Sequence, residues 1–491
     1  MKKYIILIAS LFVSSLSMAQ SQKTVLDEYE AFKRRAFMEY NDFRDKANAE
    51  YVKFMRESWA LYNGEKPIPK PPVDEPLVPP VVMPEEDRGR IPETNPVPFD
   101  EIAPVPVPSP CPMPVAPIKE ELTPAEEWIE FDFYGTPCRL RFREMDKIFL
   151  EGTMENAVAD MWERMGELLD NLLYDCLHLR KNMDLCDWAY IKLSEVVAER
   201  IYGQGCPDEV VLLNAYILNQ SGFKLHIARS EDGHLHMLIA AECDMYDFPY
   251  WNLNEEHYYL TDGSDTERLY IFTQTYPEEQ PVRLAFTQEN RFAEKPSQDR
   301  ILSAEQYPEM NVTLAVNENL IAFYNEYPAS YANNDHLSKW LFYAQAPLCK
   351  MAKDRLYPML RKTVSGKSEQ DAANMLINFV QTAFVYEYDD NVWGHDRAFF
   401  ADETLYYPFA DCEDRAILFS RIVRDIMGLQ AALVYYPGHL AAAVCFNGDV
   451  PGDYIDINGK RYTVCDPTYI HAPIGLTMPG MDNSKAKVIL L

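Results

Sequence analysis

The chain has 491 residues, of which 47% are hydrophobic, so more than one core can be buried and two or three domains are expected. A formal net charge of -30 and a pI near 4.7 exclude nucleic acid and anionic lipid as partners, because their phosphates need basic patches. Ten cysteines in a chain of this length are too sparse for a disulfide-held scaffold.

The first 19 residues read as a signal peptide. Lys2 and Lys3 precede an apolar run from Tyr4 to Leu16, and Ser17-Met18-Ala19 supplies small residues for cleavage before Gln20. The expected address is therefore exported, periplasmic or secreted. No later apolar run approaches the roughly 18 residues that a membrane span needs.

Residues 20–65 carry an 11-residue repeat: Tyr29, Tyr40, Tyr51 and Tyr62 hold one position, Phe32, Phe43 and Phe54 another, and Ala36, Ala47 and Ser58 a third. Three helical turns span that period, so the repeat predicts one amphipathic helix of about 40 residues and about 60 Å. Its stripe would lie on its own domain, associate with itself or dock a cell-surface partner. Residues 66–119 hold about half of the chain's 35 prolines and lose the helical period, which predicts an extended, semi-rigid spacer. A spacer with few contacts implies that deleting residues 20–119 leaves the remainder folded.

Residues 120–265 begin with a predicted β-hairpin between Glu127 and Phe142, followed by helices from Thr153 to about Leu179 and from Asp187 to Ile201. Residues 266–364 contain short strand-like runs (RLYIFTQ, VRLAF, VTLAV) and helices near 320–327 and 336–344, a β-rich connector with no motif of its own.

The chemistry lies in residues 365–491. Asp411 is a natural N-cap for a helix whose apolar stripe is Ile417, Phe419, Ile422, Val423 and Ile426, and Gly428 ends it. Cys412 falls in the first turn, where unpaired N–H groups and the helix dipole favour a thiolate, and this predicts the most reactive thiol in the protein. Two strands follow, broken at Pro437-Gly438, with His439 opening the second; another strand, KRYTVC, ends at Asp466. Antiparallel pairing with His439 opposite Asp466 sets residue 446 against 459. Cysteine, histidine and aspartate then form a nucleophile, base and orienter.

Asp-Cys-Glu-Asp at 411–414, Gly438-His439 and Asp466-Pro467-Thr468 resemble the transglutaminase-like (papain-related) superfamily, especially its bacterial extracytoplasmic members. One departure is Ala410, where the family usually has glycine. The resemblance implies an α+β fold and a catalytic set of Cys412, His439 and Asp466. It further implies an oxyanion donor upstream, either Gln381 or Trp393. No cofactor is required, although Asp411, Glu413 and Asp414 are candidate calcium ligands, since some related periplasmic proteases bind calcium beside the cysteine. The expected activity is that of an exported cysteine peptidase or amidase on peptide or protein amides. Protein crosslinking at the same site is one alternative, and a non-catalytic binding or scaffold protein that keeps the fold is another.

An earlier segment repeats these spacings. Cys206 to Gly222 is 16 residues, as is Cys412 to Gly428, and His234 to Asp262 is 28 against 27 for His439 to Asp466. Both copies read Gly-His-Leu at the histidine and Tyr-x-x-x-Asp at the acid, the pattern of an internal duplication. Gly205 before the cysteine, Pro207 after it and Gly263 after the acid mark the set Cys206, His234 and Asp262 as a degenerate copy. The whole is expected to be two transglutaminase-like α+β units joined by a β-rich connector, preceded by the long helix and the proline-rich spacer.

Overall fold

The structure, a computed structural model, describes residues 32, 35, 38, 39, 41–71, 78–103, 109–118, 120 and 127–491. The proposed signal peptide, Tyr29, Ala36 and Tyr40 lie outside the described residues.

The apolar run after Gly428 pairs with itself. Gln430–Tyr436 and His439–Cys445 form a hairpin with Tyr436 opposite His439, and Gly438 takes the positive φ of 79° that its two-residue turn requires. Around this hairpin a six-stranded sheet has the order Tyr454–Ile457, Lys460–Cys465, His439–Cys445, Gln430–Tyr436, Ala486–Leu490, Phe99–Ala103. The helix Cys412–Met427 packs on it, with Ile417, Phe419, Ile422 and Val423 fully buried and Ile426 half-buried. Its start has a reciprocal capping box between Asp411 and Asp414, and Gly428 ends it in the left-handed region at φ 67°.

A second six-stranded sheet has the order Tyr250–Leu253, Glu256–Leu260, Leu235–Ala240, Leu225–Ser230, Arg268–Ile271, Ala60–Asn63. Each sheet is thus a central hairpin after a helix, a later strand that leads to an acid on one side with its hairpin partner outside it, and the last strand on the other side. In each, the outermost place is taken by a strand from the N-terminal region. The helix before the first hairpin is Pro207–Gln220. The spacings that repeat in the sequence therefore correspond to a repeated strand order in a mixed α+β chain.

The N-terminal region is not a helix on a spacer. The helix over 41–55 buries Ala47, Tyr51, Val52 and Met55, and Tyr51 packs edge-on against Phe272 and Tyr276. Phe43 and Phe54 stay 46% and 36% exposed, so the aromatic positions of the repeat do not share one buried stripe. Before Tyr62 the chain leaves the helix, because Ala60–Asn63 completes the hydrogen bonding of the edge strand Arg268–Ile271.

The proline-rich residues form a belt. Glu65 and Ile68 bridge to Tyr250 and Tyr246, Val81–Val82 pairs parallel to Tyr469–Ile470, and Phe99–Ala103 pairs parallel to Ala486–Leu490. Ala116 and Ile118 are buried. Proline removes only its own N–H; Val78, Met83 and Val97 still donate, and edge positions accept proline because one side of the strand has no partner to lose. The described residues between 60 and 118 thereby contact both sheets, contrary to the expected spacer.

Smaller expectations divide. The hairpin Trp128–Phe133/Thr136–Arg141 forms as predicted. The expected helix 153–179 is two, Glu155–Leu168 and Asp170–Asn182, with a break at Leu169. In the connector, Arg268–Ile271 belongs to the first-half sheet, Asn311–Leu314 pairs with Arg300–Ser303, and residues 282–286 make only an isolated bridge through Val282. The helix Lys339–Gln345 from this region reaches the chemistry described next.

Candidate functional site

His439 opens its strand because Pro437-Gly438 turns the chain immediately before it. The register is two residues from the expected one: Ala442 faces Cys465, which puts His439 across from Thr468 rather than Asp466. The cause is an additional strand. Tyr454–Ile457 pairs with Lys460–Cys465 around Asn458-Gly459, both at positive φ, so residues 446–453 cross away instead of forming the tip of one hairpin. A shift of two keeps the side-chain face, and Asp466, just past the strand, still meets the histidine. Asp466 Oδ2 lies 2.8 Å from His439 Nε2. A carboxylate only accepts, so Nε2 carries the hydrogen and Nδ1 presents a lone pair. Nδ1 is buried with no hydrogen-bond partner.

The acid is held by its own turn. Asp466 Oδ1 accepts from the N–H groups of Thr468 and Tyr469 at 2.9 and 3.2 Å. Gln381 holds that turn from behind: its Nε2 donates to the carbonyls of Asp466, Tyr469 and Ala472, and its Oε1 accepts from His471 N–H. Both ends of the Gln381 amide are thus committed, and the expected oxyanion donor is a positioning residue for the acid. The other expected donor, Trp393, packs with Phe399 and Tyr407 under the Arg397 guanidinium and walls a different cavity.

Cys412 and His439 line one cavity of about 280 Å³. Cys412 is 8% exposed and its Sγ donates to Glu413 Oε2 at 3.5 Å, while the backbone N–H of Leu440 favours the charged form of the sulfur. Burial first, then the Asp411 and Glu413 carboxylates, push the thiol well above its ordinary pKa, and the Leu440 N–H opposes them only in part. The helix start therefore does not yield a free thiolate, and Cys111, which is exposed, is the more accessible thiol to small reagents. The Arg415 guanidinium is the nearby buried cation: it donates to the carbonyls of Ala410, Gln381 and Phe384, and ties the end of the helix Glu369–Thr382 to the cysteine turn.

Around the sulfur lie groups that the sequence reading missed. Asp389, Asp390 and Asp396 join Asp411 and Glu413 on the cavity wall, with Lys339 as an ammonium among them. Ligand atoms of Asp389, Asp396 and Glu413 lie within 4.8 Å of one another. The expected calcium trio is not assembled: Asp414 accepts from Phe399 N–H and Asp411 N–H, one bond to each carboxylate oxygen. The Lys339 ammonium is already hydrogen-bonded to Asp396. Burial, then Glu413, raises Asp389 to about 8, and burial followed by Asp396 raises Glu413.

Trp340 also walls this cavity, and its indole Nε1–H is buried without a hydrogen-bond partner. KWLFYAQ reads as an ordinary apolar helix, so no sequence signal marked Trp340. The acidic and aromatic density of YEYDDNVWGHD was a usable signal for Asp389 and Asp396.

The first-half set is arranged differently. Continuing the ladder of Leu260 with Leu238 sets His236, not His234, across from Asp262, and His236 Nδ1 lies 2.7 Å from Asp262 Oδ2. The His234 side chain is 60% exposed and stands 3.5 Å from Asp208. Leu235, which follows Gly-His as Leu440 does, gives its N–H to Asp208 Oδ1 at 2.7 Å. A carboxylate thus takes the N–H whose counterpart in the other copy, that of Leu440, favours the Cys412 thiolate, and Cys206 sits one residue before the helix as its N-cap. Cys206, His234 and Asp262 do not form a triad.

None of the described helices is long and apolar enough to cross a membrane. A scan against protein-family models and searches of curated proteins and of solved structures found no match to this chain.

Proposed function

We propose that this chain is a cysteine acyl-transfer enzyme of the transglutaminase-like (papain-related) kind, exported by residues 1–19, acting as a peptidase or amidase on peptide or protein amides. The observation that carries the reading is the buried His439, with one ring nitrogen on Asp466 and the other unpartnered, in the same cavity as a cysteine at a helix start. The equal strand orders support two such units, of which the first, with Asp208 on the Leu235 N–H, is structural.

In this reading the thiol proton passes to His439 Nδ1 as the sulfur attacks the carbonyl carbon and a C–S bond forms. Because the thiol is held protonated, attack is general-base assisted rather than the work of a standing thiolate. The Cys412 N–H and the unpartnered Trp340 indole N–H are the donors for the oxyanion, replacing the expected Gln381 and Trp393. His439 returns the proton to the leaving nitrogen, the C–N bond breaks, and water then attacks the thioester to free the acid and the thiol. Crosslinking differs only in placing an amine where water enters.

The test is the rate of Cys412 alkylation by iodoacetamide at neutral pH, read residue by residue by mass spectrometry in a Cys111→Ser background. His439→Ala should slow it at least about 10-fold, by removing the base. Once a substrate is in hand, Cys412→Ala should lower turnover by several orders of magnitude. Trp340→Phe, which keeps a ring, should lower kcat on the order of 10²-fold. Alkylation of Cys412 that is indifferent to His439 overturns the proposal.

A further inference from the structure

The cavity wall beside Cys412 is unbalanced in charge. Five carboxyl groups, from Asp389, Asp390, Asp396, Asp411 and Glu413, face one ammonium, that of Lys339. Burial works against the Lys339 charge, yet Asp396 and Glu413 outweigh it and hold this amine above its ordinary pKa. The ammonium also stands 4.9 Å over the Trp340 ring. An alkylammonium is therefore already accommodated on this wall, and most of the carboxyl groups have no cation of their own.

Beside this charge imbalance, three buried polar atoms on the same wall lack hydrogen-bond partners: Trp340 Nε1, His439 Nδ1 and, within the acidic set, Glu413 Oε1. The first two suit an oxyanion and a thiol proton. Glu413 Oε1 cannot donate while ionised and awaits a donor from the ligand; its sister oxygen touches the Cys412 sulfur at 3.5 Å. Because Glu413 touches the attacking sulfur, a donor that reaches it comes from a residue next to the scissile amide. In the acyl-transfer reading His439 faces the leaving nitrogen, and the acyl residue is assigned to Glu413. Tyr386 and Tyr388 line the same cavity.

We propose that the cleft selects acyl groups carrying an organic cation, a lysine-type ammonium or arginine-type guanidinium, on the residue whose carbonyl Cys412 attacks, with Glu413 and Asp390 as its partners. This rests on the acyl-transfer reading of the same site. No bond changes beyond those of that reading are required; the cation binds as an ion.

The experiment uses the full-length protein carrying Cys111→Ser, in EDTA, with three peptidyl vinyl sulfones that differ only in having lysine, norleucine or glutamate next to the warhead. The rate of adduct formation at Cys412 is read by mass spectrometry, beside the iodoacetamide rate. The lysine probe should label at least about 10-fold faster than the norleucine probe, the difference that one well-placed charge pair at short range makes, with glutamate slowest. Asp390→Lys, at an exposed position that leaves folding intact, should shrink or reverse the lysine-to-glutamate ratio. Equal rates for the three probes, or a glutamate preference, overturn the proposal while His439-dependent iodoacetamide labelling leaves the acyl-transfer reading standing. A lysine preference untouched by Asp390→Lys removes Asp390 from the site and overturns the assignment of the partners. Labelling by no reagent at Cys412 is instead the failure of the acyl-transfer reading.

Discussion

At Cys412 two properties of one helical turn oppose each other. Exposed N–H groups at a helix start favour a thiolate, whereas burial and the carboxylates on either side favour the thiol. Burial is the largest influence and the carboxylates add to it, so the neutral form wins. Glu413 acts twice, as a like charge and as the acceptor of the thiol hydrogen. Both effects raise the thiol pKa, so Glu413→Gln should move the acid limb of the Cys412 alkylation profile to lower pH. Rates of iodoacetamide labelling from about pH 6 to 10, across the ordinary cysteine range, measure this. A limb that stays in place or moves to higher pH would show that Glu413 does not control the thiol. Asp411 offers no such test, because its carboxylate also caps the helix and its loss would cost about 1 kcal/mol of stability.

The repeated elements differ in what they touch. Gly222, two residues past the end of Pro207–Gln220, and Gly428, the residue after Met427, lie equally far from their cysteines in sequence and are both at positive φ, 92° and 67°. A Cβ on Gly428 would meet open space, while a Cβ on Gly222 would come within 2.0 Å of the Met113 carbonyl of the belt. Left-handed backbone costs an alanine about 1 kcal/mol at either place. Gly222→Ala must in addition push the belt away. Thermal unfolding should therefore show a clearly larger fall in Tm for Gly222→Ala than for Gly428→Ala. Equal falls would mean that the belt is not seated on the first copy in solution.

Across the molecule, the belt is what joins the two sheets at their edges. Removing residues 20–119 takes away Ala60–Asn63 from one sheet and Phe99–Ala103 from the other, and uncovers Arg268–Ile271 and Ala486–Leu490 as unpaired edges. It also strips Tyr51, Met55 and Trp59 from the main core. The truncated chain is expected to lose cooperative thermal unfolding or to aggregate, the reverse of what a spacer implies. A soluble, cooperatively unfolding truncation with the same Tm would restore the spacer.

What the sequence determined by itself was local and periodic. The capped helix from Cys412 to Gly428, the Pro437-Gly438 turn before His439, the Trp128–Arg141 hairpin and the spacing repeat between the halves are all set within short windows, by caps, turns and apolar alternation. His439 and Asp466 meet as expected even though the register does not, because a two-residue slip preserves the face. Other features needed the tertiary structure, for one physical reason: an unpaired strand edge or an unfilled polar place is satisfied by whichever segment arrives there, however distant. Edge hydrogen bonding turned the end of a helical repeat into a strand and a proline-rich run into a belt. Long-range packing brought Trp340 and Lys339 to the cysteine and sent Gln381 behind the acid. In the first copy, a carboxylate two residues beyond Cys206 reached the Leu235 N–H, and His236 rather than His234 faced Asp262.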